Sequence, residues 1–153
     1  MKIETRVFGA IEIDDSKIIH FPGGIIGFPE MTDFALVHDE EKGKDVPIRW
    51  LQSLQEAQFA MPVMDPLLVK ADYNPEVEDE LLNPLAITDS GEVLVLVTVS
   101  VPKDLTAMSV NLQAPLIINA QNRKAAQVIV NTDIYPVKYY IYDILQKMKK
   151  EGE

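Results

Sequence analysis

Apolar and polar residues alternate from the start of the chain. Ile3, Thr5 and Val7 are interleaved with Glu4 and Arg6, Gly9-Ala10 breaks the run, and Ile11-Glu12-Ile13 resumes it. A period of two puts successive side chains on opposite faces, which predicts strands with one buried face. Asp14-Asp15-Ser16 then turns the chain into Lys17-Ile18-Ile19-His20-Phe21. Further strands are predicted over Phe34 to His38, Ile48 to Gln52, Gln58 to Val63, Val93 to Val101, Met108 to Leu112, Leu116 to Ala120 and Gln127 to Val130. The run from Val93 is apolar at every position in its first half, as in a central strand covered on both sides.

Helical spacing is confined to two places. Asn74-Pro75-Glu76 can open a short helix through Leu82, with acids in its first turn. Ile141, Ile144, Leu145 and Met148 repeat at helical intervals, and Lys147, Lys149 and Lys150 suit the C-terminal end of a helix. Many short strands separated by Pro, Gly and Asp, with few helices, predict a mainly β chain. The expected architecture is a small antiparallel β-barrel-like domain with one or two short helices. It is expected to be one domain over 1–153 with a helical tail over 138–150, because no internal repeat, low-complexity tract or composition boundary divides the chain.

One loop interrupts the strands in an unusual way. Phe21-Pro22-Gly23-Gly24-Ile25-Ile26-Gly27-Phe28-Pro29-Glu30 packs glycines and prolines between large apolar residues. Gly permits positive φ and close approach, whereas Pro fixes φ and removes a donor. The run therefore specifies a multiply turned loop that still holds Phe21, Ile25, Ile26 and Phe28 against something apolar. No Lys-Ser/Thr or helix opening follows, so it is not a phosphate cradle.

Charge narrows the function classes. The chain of 153 residues has 24 acids against 14 bases, a net −10. That sign opposes direct binding of nucleic acid, whose phosphates are held by clustered Lys and Arg. The imbalance is concentrated: no Lys or Arg falls between Lys70 and Lys103, where Asp72, Glu76, Glu78, Asp79, Glu80, Asp89 and Glu92 all lie. Such a stretch is either a solvated face or a surface that meets a basic partner and keeps an anionic one away. No window has the length of a membrane span, and no signal peptide opens the chain, so a cytoplasmic protein is expected.

Chemistry-bearing patterns are sparse. The absence of cysteine removes disulfides, thiolate metal sites and cysteine nucleophiles. His20 and His38 each sit in an apolar strand-like run, away from any metal-ligand spacing. No serine stands in a nucleophile elbow. Asp65 precedes Pro66, where capping or turn formation is its ordinary role. No enzymatic activity, cofactor or metal is expected.

Three segments taken together resemble the flagellar assembly factor FliW family. They are Phe21-Pro22-Gly23-Gly24-Ile25-Ile26-Gly27-Phe28; Arg49-Trp50-Leu51-Gln52-Ser53-Leu54, with Phe59-Ala60-Met61-Pro62-Val63-Met64-Asp65-Pro66 following; and Asn111-Leu112-Gln113-Ala114-Pro115-Leu116-Ile117-Ile118-Asn119. The resemblance spans nearly the whole chain. Family members often carry Pro where this chain has Ile26, and the Lys-rich tail from Tyr139 is longer than the pattern requires. On their own chemistry, Trp50 and Leu51 are core residues, and Gln52, Ser53, Asn111 and Asn119 can satisfy buried backbone groups. Pro115, which cannot donate to a ladder, implies an edge or bulge. Phe21, Pro22, Gly24, Gly27, Phe28, Trp50, Leu51, Gln52, Ser53, Asp65, Pro66, Asn111, Leu112, Pro115, Ile118 and Asn119 are thus candidates to maintain the fold or line a partner surface.

A monomer is expected from the high charge and the lack of a helical seam or heptad run. The resemblance implies a non-enzymatic regulator, acting in the cytoplasm, with two protein partners. One is flagellin; the other is CsrA, a dimeric RNA-binding translational repressor. Free flagellin would sequester the factor, and flagellin export would release it to antagonise CsrA, so that flagellin mRNA is translated. Asp72, Tyr73, Glu76, Glu78, Asp79 and Glu80 are the candidate partner-binding residues. An alternative is a small-ligand-binding β-barrel with the Phe21–Phe28 loop as lid and Trp50 in its floor. A third reading is a hydrolase built on paired carboxylates.

Overall fold

A computed structural model describes residues 1–37, 48–86, 93–130 and 133–151. His38, Asp89 and Glu92 lie outside them, and so do the side chains of Asp79, Lys149 and Lys150. The N-terminal alternation folds into a hairpin of β1 (Lys2–Thr5) and β2 (Gly9–Glu12), with Ile3 opposite Ile11. Thr5 Oγ1 donates to Gly9 O at 2.8 Å and accepts from Phe8 N at 2.9 Å, which closes the connection.

The remaining strands form one antiparallel sheet. They are β3 (Ile18–His20), β4 (Asp33–Val37), β5 (Arg49–Ser53), β6 (Ala60–Met64), β7 (Val93–Ser100), β8 (Ser109–Val110), β9 (Leu116–Asn119), β10 (Ala125–Gln127) and β11 (Tyr139–Tyr140). The order is β10-β9-β7-β6-β5-β4-β3, with β8 on β7 and β11 beyond β8. The two ends meet at one parallel bridge between His20 and Lys124, where His20 N donates to Arg123 O at 2.9 Å. The sheet therefore curls into a barrel-like shape without a ladder closing it.

Alternation sorts the side chains. On β4 and β5, Phe34 and Leu51 enter a core with Phe21, Ile25, Val63, Leu96 and Leu116. Their neighbours Ala35, Val37 and Trp50 face the other way, under Ile3, Phe8 and Ile11 of the hairpin. Leu94 and Leu96 of β7 join the first core, while Val93, Val95, Val97 and Val99 join a third. That third core holds Met64, Val110, Leu112, Val128, Val130, Tyr135 and Ile141 under α2 (Tyr142–Glu151), which contributes Ile144 and Leu145. Burying a Leu or Phe completely is worth about 1.5–3 kcal/mol, so these faces fix the register of every strand.

Three elements differ from the sequence expectation. The helix expected from Asn74 shrinks to α1 (Asp79–Leu82), because the residue before Pro75 disfavours helix and Asn74 N is held by the Tyr135 hydroxyl at 3.1 Å. The last expected strand, Gln127 to Val130, is displaced: β10 covers Ala125–Gln127, and beyond it Val128 N and Val130 N donate to Pro115 O and Gln113 O. The tail is helical only from Tyr142, because Tyr139 and Tyr140 pair with Val110 and Ser109.

The Phe21–Glu30 loop owes its shape to two glycines. Ile25 and Phe28 exchange backbone hydrogen bonds of 3.2 and 2.7 Å around Ile26-Gly27, and Gly27 (φ +88°) takes the position that a type II turn reserves for positive φ. Ile26 occupies the position that proline also fits, but its N–H donates to Gln127 Oε1 at 2.9 Å, a bond proline cannot make. At Gly24 (φ +72°) a Cβ would lie 2.4 Å from Pro29 O, whereas one on Gly23 would meet nothing within 4 Å. Gly24→Ala is accordingly expected to cost about 2 kcal/mol or more in urea unfolding, and Gly23→Ala less than about 0.5 kcal/mol. Equal losses would mean that the close approach is not what demands glycine.

Candidate functional site

The polar motif residues turn inward and satisfy backbone. Gln52 Oε1 accepts from Arg6 N at 2.9 Å, and its Nε2 donates to Ser53 O and Ala57 O, both at 3.0 Å. One carboxamide thereby ties the N-terminal hairpin to the connection between β5 and β6. Ser53 Oγ accepts from Gln55 N at 3.1 Å and Glu56 N at 3.0 Å. Gln55 in turn accepts from Thr32 N at 2.6 Å and donates to Glu30 O at 2.9 Å, fixing the exit of the Phe21–Glu30 loop. Asp65 Oδ1 accepts from Leu67 N at 2.9 Å, capping a 3-10 turn at Pro66–Leu68.

The third motif resolves a mismatch between strands. From Val110 to Leu116 the chain takes six steps while β7 takes three, from Val99 to Leu96, so the surplus is bulged at Asn111–Pro115. Asn111 Oδ1 accepts from Gln113 N at 3.0 Å and Ala114 N at 3.2 Å, which gives the bulge its missing partners. Leu112, Leu116 and Ile118 are buried. Asn119, also buried, donates to Leu85 O at 2.9 Å and accepts from Gln121 N at 2.9 Å.

Those bonds position the acidic stretch. Tyr73 lies beneath it with its ring buried: the hydroxyl donates to Leu112 O at 2.7 Å, and the ring meets Tyr135 edge-on at 4.7 Å. The ring of Tyr73 is therefore not on the surface that its sequence neighbours form. At the far end, Asn119 and Asn122 both donate to Leu85 O. Between these two ties Glu76, Glu78 and Glu80 are exposed, as is Asp72, whose carboxyl is held below the usual carboxylate range by a 3.0 Å hydrogen bond from Lys70. The motif around Asn111–Asn119 thus supports an acidic ridge carried by another part of the chain.

The remaining candidates divide between two faces. Phe21 is buried beside Phe34 with its ring edge-on at 5.4 Å, while Ile26 and Phe28 at the loop tip are exposed and Phe28 leans on Phe59. Trp50 packs under the N-terminal hairpin, on the opposite face of the sheet from Phe21 and Ile25. A lid at Phe21–Phe28 over a floor at Trp50 is ruled out by that arrangement, because consecutive residues Trp50 and Leu51 point to different sides. Sequence reasoning missed Gln55, Tyr135 and Arg123. A glutamine in a turn and a tyrosine in a connection carry no periodic signal, and the positive φ of Arg123 (+61°) is invisible in its residue type. Among the described residues, no three His, Cys, Asp or Glu side chains converge as metal ligands, and no helix is long and apolar enough to cross a membrane.

Motif residues spent on internal ties, with charged and apolar side chains left on outer faces, define an antiparallel β domain that presents surfaces. The FliW protein family profile matches residues 2–141, and the chain belongs to that family. It is 43% identical over 149 residues to the flagellar assembly factor FliW of Ruminiclostridium cellulolyticum, covering 97% of this chain and 99% of that one. The flagellar assembly factor FliW of Lachnospira eligens is 44% identical over 149 residues, covering 96% and 98% of the two chains. A crystal structure of the flagellar assembly factor FliW superposes with a TM-score of 0.84 at 30% identity, over 92% of this chain and 96% of that one. The matched family residues stop at Ile141, one residue before α2 begins.

Burial pushes the Tyr73 hydroxyl well above the ordinary phenol value. The folded chain therefore keeps a proton that the unfolded chain gives up, so this stabilisation is complete below about pH 10 and is lost as pH rises beyond it. Tyr73→Phe is expected to cost about 1–3 kcal/mol at neutral pH, because Leu112 O loses its donor, and to flatten the alkaline decline. Urea unfolding at pH 7 to 11 checks both; an alkaline slope equal to that of the unchanged chain would contradict the assignment.

Proposed function

We propose that this chain acts in flagellar assembly by binding unassembled flagellin and the translational repressor CsrA in the cytoplasm. When flagellin is exported, the chain is free to bind CsrA, and flagellin mRNA is released for translation. Membership of the FliW family across residues 2–141 is the observation that carries the reading. The chain works as a monomer without catalysis, cofactor or direct contact with nucleic acid.

The acidic ridge supplies a physical route to antagonism. An RNA-binding protein holds phosphates with basic groups, and the exposed Glu76, Glu78 and Glu80 match such a surface in sign. Charge interactions fade beyond about 8 Å at physiological salt, so the net charge alone cannot expel RNA from a distance. Docking must bring individual carboxylates within that range of the RNA path. The two ties at Tyr73 and Asn119 favour this by holding the ridge in one position.

The test is a titration of the chain into a preformed complex of CsrA with flagellin mRNA leader, following RNA release with and without flagellin. Reversal of Glu76, Glu78 and Glu80 to Lys is expected to raise the concentration needed for half release at least tenfold, with a smaller loss of CsrA binding. Release unchanged by the reversal would remove the ridge from the mechanism. Failure of the unchanged chain to bind either protein would remove the functional reading.

A further inference from the structure

The two ends of the curled sheet are held together less firmly than its neighbouring strands. On one side β3 is bound to β4 along its whole length: Ile18, Ile19 and His20 pair with Ala35, Phe34 and Asp33, and His20 Nδ1 lies 2.6 Å from Asp33 Oδ1. On the other side, among the described residues, β3 meets the far end of the sheet at the isolated His20–Lys124 bridge. Arg123 N is used within the β9–β10 turn, where it donates to Asn119 O at 2.8 Å, and Arg123 O accepts from His20 N at 2.9 Å. Past His20 the chain turns back toward β4, and Phe21 N donates to Thr32 O at 2.7 Å.

The Phe21–Glu30 loop repeats this asymmetry. Several of its hydrogen bonds close locally: Gly24 N donates to Phe21 O at 2.9 Å, Met31 N donates to Phe28 O at 3.1 Å, and Ile25 and Phe28 bond to each other. Gln55, on the β5–β6 connection, holds Glu30 O and Thr32 N, and the Phe28 ring rests on Phe59 at 4.9 Å. These partners all lie on the β3–β6 side of the seam. Toward β10 the loop makes one described hydrogen bond, from Ile26 N to Gln127 Oε1 at 2.9 Å. Gln127 Nε2 donates to Ala114 O at 3.2 Å, which fixes the carboxamide against the Asn111–Pro115 bulge.

We infer that β3 and the Phe21–Glu30 loop form a flap, hinged on β4 and latched to β10 by Gln127, which opens along the β3–β10 seam while the rest of the sheet stays folded. Opening breaks the bridge at His20 and the bond at Ile26, and it leaves the bonds on the hinge side intact. The surface it uncovers is apolar. Ile19, Phe21 and Ile25 on the flap share one core with Ile118 and Ala125 on the far side, and all five are buried when the seam is closed. Burial of that core makes the open form a minor state, reached by an opening smaller than global unfolding.

Residue-resolved amide exchange over a series of low urea concentrations tests this. His20 and Ile26 donate the two seam bonds, so their protection should agree within about twofold and share one weak dependence on urea. Both should lie about tenfold or more below Leu51 of the central strand β5. Ile26→Pro removes the donor to Gln127 while proline fits its place in the turn, and should lower protection at His20 about fivefold. Gln127→Ala removes the acceptor instead and should lower His20 and Ile26 together by about the same factor. A carboxamide that merely supports the loop locally would leave His20 unmoved. If either variant fails to fold, the other and the unchanged chain decide. Protection at His20 equal to that of Leu51 would mean that the seam opens only when the whole chain unfolds, and would overturn the inference. Protection at His20 unchanged by the substitutions would mean that loop and strand move separately, and would overturn it equally.

Discussion

Two hydrogen bonds to backbone carbonyls hold the acidic part of this chain in place: Tyr73 Oη to Leu112 O and Asn119 Nδ2 to Leu85 O. A stretch without Lys or Arg repels itself, and among its described residues the only α-helix is α1 at Asp79–Leu82. Left alone it would sample many conformations at a cost of about 1–2 kcal/mol per residue ordered. Anchoring both ends to the strand-and-bulge segment Asn111–Asn119 transfers the rigidity of the sheet to the ridge. Leu112 and Leu85, whose carbonyls accept these bonds, are both buried, and an unpaired acceptor there would cost about 1–3 kcal/mol. The interaction therefore stabilises the fold and orients the surface at once.

The same device recurs at the other end of the sheet. Gln52 joins the N-terminal hairpin to the β5–β6 connection, and Ser53 with Gln55 fixes the loop whose Ile26 and Phe28 face outward. Polar side chains serve at the corners of an antiparallel sheet because strands that bend or bulge leave donors and acceptors without ladder partners. A domain built this way can carry different charges on different edges without changing its core.

Much of this was legible in the sequence. Alternation at Ile3–Val7, the apolar run at Val93 and the Pro-Gly punctuation gave a mainly β chain, because side-chain period and turn chemistry are local properties. The Phe21–Phe28, Arg49–Leu54 and Asn111–Asn119 segments pointed to the family. The role of Tyr73 was not legible: its neighbours are acidic, and only the pairing of distant segments reveals that Leu112 O waits beneath it. Nor could periodicity find β11, whose two tyrosines pair across the sheet. Trp50 and Phe28 both read as apolar, and only strand register puts them on opposite faces.

The most direct measurement is residue-resolved amide exchange of Asn119→Ala. The Ala86 amide donates to Asn83 O at 3.1 Å within the turn that Asn119 anchors. If that anchor positions the ridge, Ala86 should lose about tenfold or more of its protection, while amides of the Phe34 and Leu51 core keep theirs. Unchanged protection at Ala86 would mean that the ridge is ordered by something other than the motif, and the account would fail at its centre.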